Sequence, residues 1–169
     1  MYSSTISNNT VAHVWGTAIH LGSANNNVFR GNVVSDSLDG WMLTGSGNVL
    51  ENNYIEGTRR HGWPIWDAYN NVFFGNTITD SYSGLGLGGS TGANLIHHNN
   101  FSTTVQCCDN GADNQWDDGS EGNYWSDYTG TDVDSDGIGD TPYIVVSNGV
   151  DRYPLMEPYG PESHLIHAR

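Results

Sequence analysis

Four copies of one short phrase run through the first hundred residues. They read Asn27-Val28-Phe29 to Asn32-Val33-Val34, Asn48-Val49-Leu50 to Asn53-Tyr54-Ile55, Asn71-Val72-Phe73 to Asn76-Thr77-Ile78, and Asn94-Leu95-Ile96 to Asn99-Asn100-Phe101. The leading asparagines step by 21, 23 and 23 residues. Between the copies lies a second phrase: Gly40-Trp41-Met42-Leu43, Gly62-Trp63-Pro64-Ile65 and Gly84-Leu85-Gly86-Leu87, with a weaker forerunner in Ala18-Ile19-His20-Leu21. A fixed period in the low twenties marks a repeat architecture. The leucine-dense pattern of leucine-rich repeats is missing, and no useful run of helical periodicity appears. Each unit instead holds short strands of alternating apolar residues, broken by Asn, Gly and Ser. Three strands and three turns per unit predict one coil of a right-handed parallel β-helix, an all-β fold of about four coils spaced ~4.8 Å apart. The repeated asparagines then fall over one another at a turn. There they tolerate left-handed backbone angles and bond amide to amide up the stack.

Composition narrows the partners. The 169 residues carry 19 acidic and 5 basic side chains, all five arginine, for a formal charge of −14. Nucleic acid is therefore not an expected partner, because binding a phosphate backbone needs basic groups to displace its counterions. No run of about 18 apolar residues exists, so no membrane insertion is expected. The opening Met1-Tyr2-Ser3-Ser4 shows no secretion signal. It also supplies no cap, which implies upstream coils or a capping partner at that end. The two cysteines, Cys107 and Cys108, are adjacent, which rules out a disulfide scaffold.

From Asp109 to Asp151 the chain changes character, with eleven of the nineteen acids and no basic residue. Asn114-Gln115-Trp116-Asp117-Asp118-Gly119, Gly122-Asn123-Tyr124-Trp125-Ser126-Asp127-Tyr128, Asp136-Gly137-Ile138-Gly139-Asp140-Thr141-Pro142-Tyr143 and Asp151-Arg152-Tyr153-Pro154-Leu155-Met156 resemble the terminal module of NosD-like surface proteins. The upstream repeats resemble those of carbohydrate-binding and sugar-hydrolysing β-helix proteins and of the NosD family of nitrous-oxide reductase maturation. This reading divides the chain into coils over 1–108, an acidic cap over 109–157 and a flexible tail over 158–169.

Within the cap, Asp132, Asp134, Asp136 and Asp140 stand at positions 1, 3, 5 and 9 of a loop with Gly137 at position 6. Calcium takes six to eight hard oxygens, which alternate aspartates around a sharp glycine turn supply. The spacing resembles EF-hand, dockerin and thrombospondin type 3 loops, with Tyr143 where an EF-hand has its bidentate glutamate. Asp127 or Asp151 is the expected source of a missing ligand. The ion's expected role is structural, folding the cap over the last coil.

A chemical site is sought along Asp36, Asp39, Arg59, Arg60, His61, Trp66 and Asp80. Aligning coils on Asn32, Asn53 and Asn76 sets Asp36 beside Gly57 and Asp80, and Asp39 beside Arg60 and Ser83. The middle coil holds one extra residue at Arg59-Arg60, and Pro64 removes a ladder donor next to it. Asp36 and Asp80, two coils apart, would lie about 9–10 Å from each other, at or past the limit for an inverting carboxylate pair. The balance favours plain salt bridges over catalysis. A lyase or glycoside hydrolase acting between Arg59 and Asp80 is the alternative. Trp15 and Trp66 are the candidate sugar-stacking surfaces, with Arg60 beside them. Trp41 and Trp63 are expected in the core, and Trp116 and Trp125 over the last coil.

The resemblance to NosD implies copper handling. His97-His98, Cys107-Cys108 and the pair His164 and His167 carry suitable donors. Copper is nevertheless not expected, because strand alternation sends His97 and His98 to opposite faces and the last pair falls in the tail. The leading expectation is an extracellular, surface or periplasmic scaffold that binds a polysaccharide or other glycan and is stabilised by calcium. A periplasmic copper-handling accessory is the second alternative.

Overall fold

A computed structural model describes residues 3–160. Every regular element in it is a strand. The first coil is β1 (Thr5–Ser7), β2 (Thr10–Ala12) and β3 (Thr17–Leu21), and the second is β4 (Val28–Arg30), β5 (Val33–Ser35) and β6 (Asp39–Ser46). The third is β7 (Val49–Glu51), β8 (Tyr54–Glu56) and β9 (His61–Tyr69). Coil four is β10 (Val72–Phe74), β11 (Thr77–Thr79) and β12 (Ser83–Gly88); coil five is β13 (Leu95–His97), β14 (Asn100–Ser102) and β15 (Val105–Asp109). The cap adds β16 (Tyr124–Trp125), β17 (Tyr143–Ile144), β18 (Val146–Ser147) and β19 (Val150–Asp151).

Corresponding strands stack in parallel into three sheets: β1-β4-β7-β10-β13, then β2-β5-β8-β11-β14-β16, then β3-β6-β9-β12-β15-β18. This is the right-handed parallel β-helix expected from the period, with about five turns rather than four. The additional turn is the first, where Ser4 occupies the place of a leading asparagine and donates its amide to Asn27.

In β4, β5, β7, β8, β10 and β13 only the middle side chain of the three is buried, as period-two alternation requires. Phe29, Leu50, Phe73 and Ile96 line one wall in register, and Val34, Ile55, Ile78 and Phe101 line the second. The third wall carries Trp41, Trp63, Leu85 and Cys107, with Leu43, Ile65 and Leu87 beside them. Trp41 and Trp63 stack with centroids 5.2 Å apart. The glycine before Trp41, Trp63 and Leu85 makes room for this filling, since a Cβ on Gly40 would run into the Gly62 carbonyl and one on Gly84 into that of Gln106.

Two ladders of amides, buried between their end rungs, seam the corners. One runs Asn27, Asn48, Asn71, Asn94, Asn114 and the other Asn9, Asn32, Asn53, Asn76, Asn99, Asn123, each Nδ2 donating to the next Oδ1 at 2.8–3.0 Å. The same Oδ1 accepts the preceding asparagine's backbone amide. The left-handed angle, however, falls on the residue before the ladder asparagine in every rung but the last of the second seam: Asn26, Gly47, Asn70, Ala93 and Asp113 on one seam, Asn8, Gly31, Asn52, Gly75 and His98 on the other. Turning the chain one residue early points the next side chain inward, where it replaces ladder bonds that the turn forgoes.

The cap packs on the last coil as expected for its tryptophans. Trp125 stacks on Phe101 at 4.8 Å and Tyr143 on Trp125 at 4.2 Å, with Trp116 against both Trp125 and Phe101. Residues 158–160, placed in the tail by the sequence, begin inside the structure: Asn100 donates to the Tyr159 carbonyl and accepts its amide. His164 and His167 lie outside the described residues.

Candidate metal centre

The turn that ends β13 gathers a cluster the sequence had separated. His97 closes the strand, but His98 takes the seam position with φ of 57°, where other coils place Gly31, Asn52 and Gly75. A left-handed residue breaks strand alternation, so the two rings do not part to opposite faces. Their Nδ1 atoms lie 2.8 Å apart and the ring centroids 4.9 Å apart.

A loop from the cap completes the group. His98 Nε2 meets Glu121 Oε2 at 2.5 Å, and Asp118 Oδ2 lies 3.5 Å from His97 Nδ1. A carboxylate accepts only, so His98 Nε2 carries the proton, and its Nδ1 lone pair accepts from His97 Nδ1–H. Asp118 is itself fixed by the amides of Ser120 and Glu121 and by the Ser120 hydroxyl. Burial raises its carboxyl, but those donors and His97 outweigh that and bring it down to about 2. His97 is held below the usual imidazole range by burial and by His98, against the pull of Asp118 and Glu121. Phe74 backs both rings, and Tyr159 lies 4.5 Å from His98. The imidazoles are nearly buried while both carboxylates face solvent.

His97, His98 and Asp118 offer three ligand atoms within 4.8 Å of one another. Imidazole with carboxylate suits copper and zinc. Glu121, on the far nitrogen of His98, is the outer carboxylate that fixes ring orientation and tautomer in such sites. The donor set therefore fits a transition metal. The sequence did carry a signal: His98 directly precedes a ladder asparagine, where every other coil has Gly or Asn.

The acidic loop forms a second, all-oxygen cluster. Asp132, Asp134 and Asp136 offer oxygens within 4.8 Å of one another. Asp132 accepts from the amides of Asp136 and Gly137, and Asp136 from that of Ile138. Asp140 is directed instead to the Val133 amide and Thr131 hydroxyl. Asp127 accepts from the Tyr143 hydroxyl, and Asp151 is buried under Trp125 and Asn123. Neither of these last two joins the trio.

The strip from Asp36 to Asp80 divides among three surfaces. Arg59 lies 4.6 Å over Trp15, which is 84% exposed, beside Asp36 and His13. Asp80 faces Tyr82 and Ser102 elsewhere. On the outer face of the third sheet, Arg60 grips Asp39 through Nε and Nη2. Asp39 is almost fully buried and its carboxyl is held low by the Arg60 hydrogen bonds, against burial. The register differs from the sequence alignment: Asp39 pairs with His61, not Arg60, because the extra residue is accommodated before β9. A groove of about 370 Å³ runs past Arg60, His61, Pro64, Gly86 and Cys108 to Trp66, which is 48% exposed and lies over Gly88. Cys107 is inside the core, its thiol pushed up by burial, and Cys108 points into this groove; both are free thiols.

A parallel β-helix with an imidazole–carboxylate cluster at one corner defines a solenoid protein bearing a transition-metal ligand set. The family model for NosD, described as a periplasmic copper-binding protein, matches residues 1–130, and the chain belongs to that family. No curated protein and no solved structure matches it.

Proposed function

We propose that the chain is a periplasmic copper-binding β-helix that holds its ion at His97, His98 and Asp118, with Glu121 as the positioning carboxylate. The observation that carries this is the pair of facing Nδ1 atoms beside Asp118, an arrangement built by the left-handed turn at His98. It reverses the expectation from alternation that copper is not bound, and the family's description supports the reversal. The full chain should retain one equivalent of copper through dialysis. His97→Ala should abolish retention, whereas Cys107→Ser with Cys108→Ser should leave it intact. Retention unchanged in His97→Ala would defeat the assignment.

The groove beside Trp66 favours a second reading, that the same solenoid binds a glycan along its third sheet. An exposed indole supplies an apolar ring face, and Arg60 and His61 supply polar contacts along the same groove. Trp66→Ala should remove binding on a glycan array while Trp15→Ala keeps it; equal binding by wild type and Trp66→Ala would end this reading.

Calcium at Asp132, Asp134 and Asp136 is the third part of the proposal. Carboxylates this close repel one another unless a cation neutralises them. A calcium-selective chelator should lower the melting temperature by several degrees, and Asp134→Asn should remove the response. An unchanged melting curve would remove calcium from the cap.

A further inference from the structure

We infer that the His97–His98 centre takes copper as Cu(II) and discriminates against Cu(I). This rests on the copper reading above and specifies its oxidation state. The first argument is the donor set. The cluster offers imidazole nitrogen and carboxylate oxygen only, a combination suited to Cu(II), whereas Cu(I) selects thiolate and thioether. The sulfur side chains of the described residues sit elsewhere. Cys107 is sealed in the core, Cys108 bonds with Asn110 on the third sheet, and Met42 lines the groove there. Met156 is tied to Gly137 in the cap.

The second argument is spacing. Two nitrogens each about 2.0 Å from one ion lie about 2.8 Å apart at a right angle and about 3.3 Å apart at the tetrahedral angle. The Nδ1···Nδ1 separation is 2.8 Å in the hydrogen-bonded pair, so once His97 Nδ1 releases its proton both nitrogens reach one ion at the right angle of tetragonal Cu(II) without moving apart. The rings have little freedom to widen it. His98 is held on one side by Glu121 and on another by Tyr159, its amide donates to Gly122, and Phe74 backs both rings. Asp118 adds a hard, exposed oxygen that favours the doubly charged ion.

The test titrates the full chain with Cu(II), followed by electron paramagnetic resonance, and anaerobically with Cu(I) against a chromogenic Cu(I) chelator. One equivalent of Cu(II) with an axial spectrum and nitrogen superhyperfine structure is expected. His97→Ala and His98→Asn, the latter preserving the left-handed turn, should lose the spectrum. Asp118→Asn, which removes a ligand, should weaken binding by at least the roughly 10–100-fold that loss of an outer-shell partner costs. Cu(I) should be surrendered to the chelator. Cu(I) held at one equivalent and lost in His97→Ala would overturn the Cu(II) selection while leaving the site in place. Copper bound in neither state would overturn the copper reading itself. Cu(II) bound equally by wild type, His97→Ala and Asp118→Asn would overturn the ligand assignment and this inference with it.

Discussion

Asn53→Ala should lower the unfolding free energy by about 4 kcal/mol, read from urea denaturation followed by circular dichroism. Asn53 is buried in the middle of its seam. Its Oδ1 accepts from the amide and Nδ2 of Asn32 at 3.0 and 2.9 Å, and its Nδ2 donates to Asn76 Oδ1 and the Phe29 carbonyl at 2.9 and 3.0 Å. Truncation leaves the Asn32 amide and one Asn32 Nδ2 hydrogen without an acceptor where water cannot replace the side chain, each costing about 1–3 kcal/mol before relaxation, while Asn76 Oδ1 keeps the Asn53 backbone amide and Asn32 Nδ2 keeps the Ile6 carbonyl. Asn9 begins the same ladder at the exposed first coil, so Asn9→Ala should cost under about 1 kcal/mol. Asn53→Asp should cost at least as much as Asn53→Ala, because its second oxygen would face the Asn76 Oδ1 and Phe29 carbonyl acceptors in a buried site. Equal losses for Asn9→Ala and Asn53→Ala would show that the seam aligns the coils without stabilising them.

Asp151→Asn should cost about 3 kcal/mol and change the pH response of stability. Asp151 Oδ2 accepts from the Asn123 amide at 2.7 Å and Trp125 Nε1 at 2.8 Å, and Oδ1 accepts from the Tyr153 amide at 3.0 Å. It therefore ties the end of an asparagine ladder to the tryptophan that covers the last coil. An amide turns one acceptor into a donor against this ring of N–H groups. Burial pushes the Asp151 carboxyl up to about 6, against the pull of those same donors. A carboxyl whose folded value exceeds its unfolded value, about 3.9, binds more protons when folded between the two. Its contribution therefore makes the protein less stable as pH rises from about 4 to about 6, by up to about 3 kcal/mol. His97, held low, acts in the opposite direction as pH falls below the usual imidazole value. Asp39 and Asp117, held low by Arg60 and Arg152 against burial, lose their contributions only in more acidic solution. The difference between wild type and Asp151→Asn isolates the one group: it should be larger at pH 5 than at pH 7. A difference independent of pH would mean that Asp151 keeps an ordinary carboxylate value.

The recurring asparagines, the strand alternation and the glycine before Trp41, Trp63 and Leu85 already specify a three-walled stack with named inward residues. Each follows from a local rule repeated at a fixed period. Trp41 and Trp63 inside, Trp66 outside and Trp125 over the end all follow from that repetition. The placement of His97 and His98 was misread because alternation was carried one residue too far. His98 belongs to the turn, and the position of Asn99 after it was the available signal. Asp118 and Glu121 were not legible, since a loop more than twenty residues downstream must fold back over coil five to bring them to the imidazoles. The pairing of Asp39 with His61 likewise depended on where the stack absorbs an extra residue.

The sequence by itself determined the class of fold, the identity of the core and the seams, because periodic short-range rules add coherently from coil to coil. The tertiary structure alone decided which polar groups meet, because metal-type clusters and buried clamps such as Asp151 join segments that share no period. Their geometry is fixed by how the cap closes on the last turn.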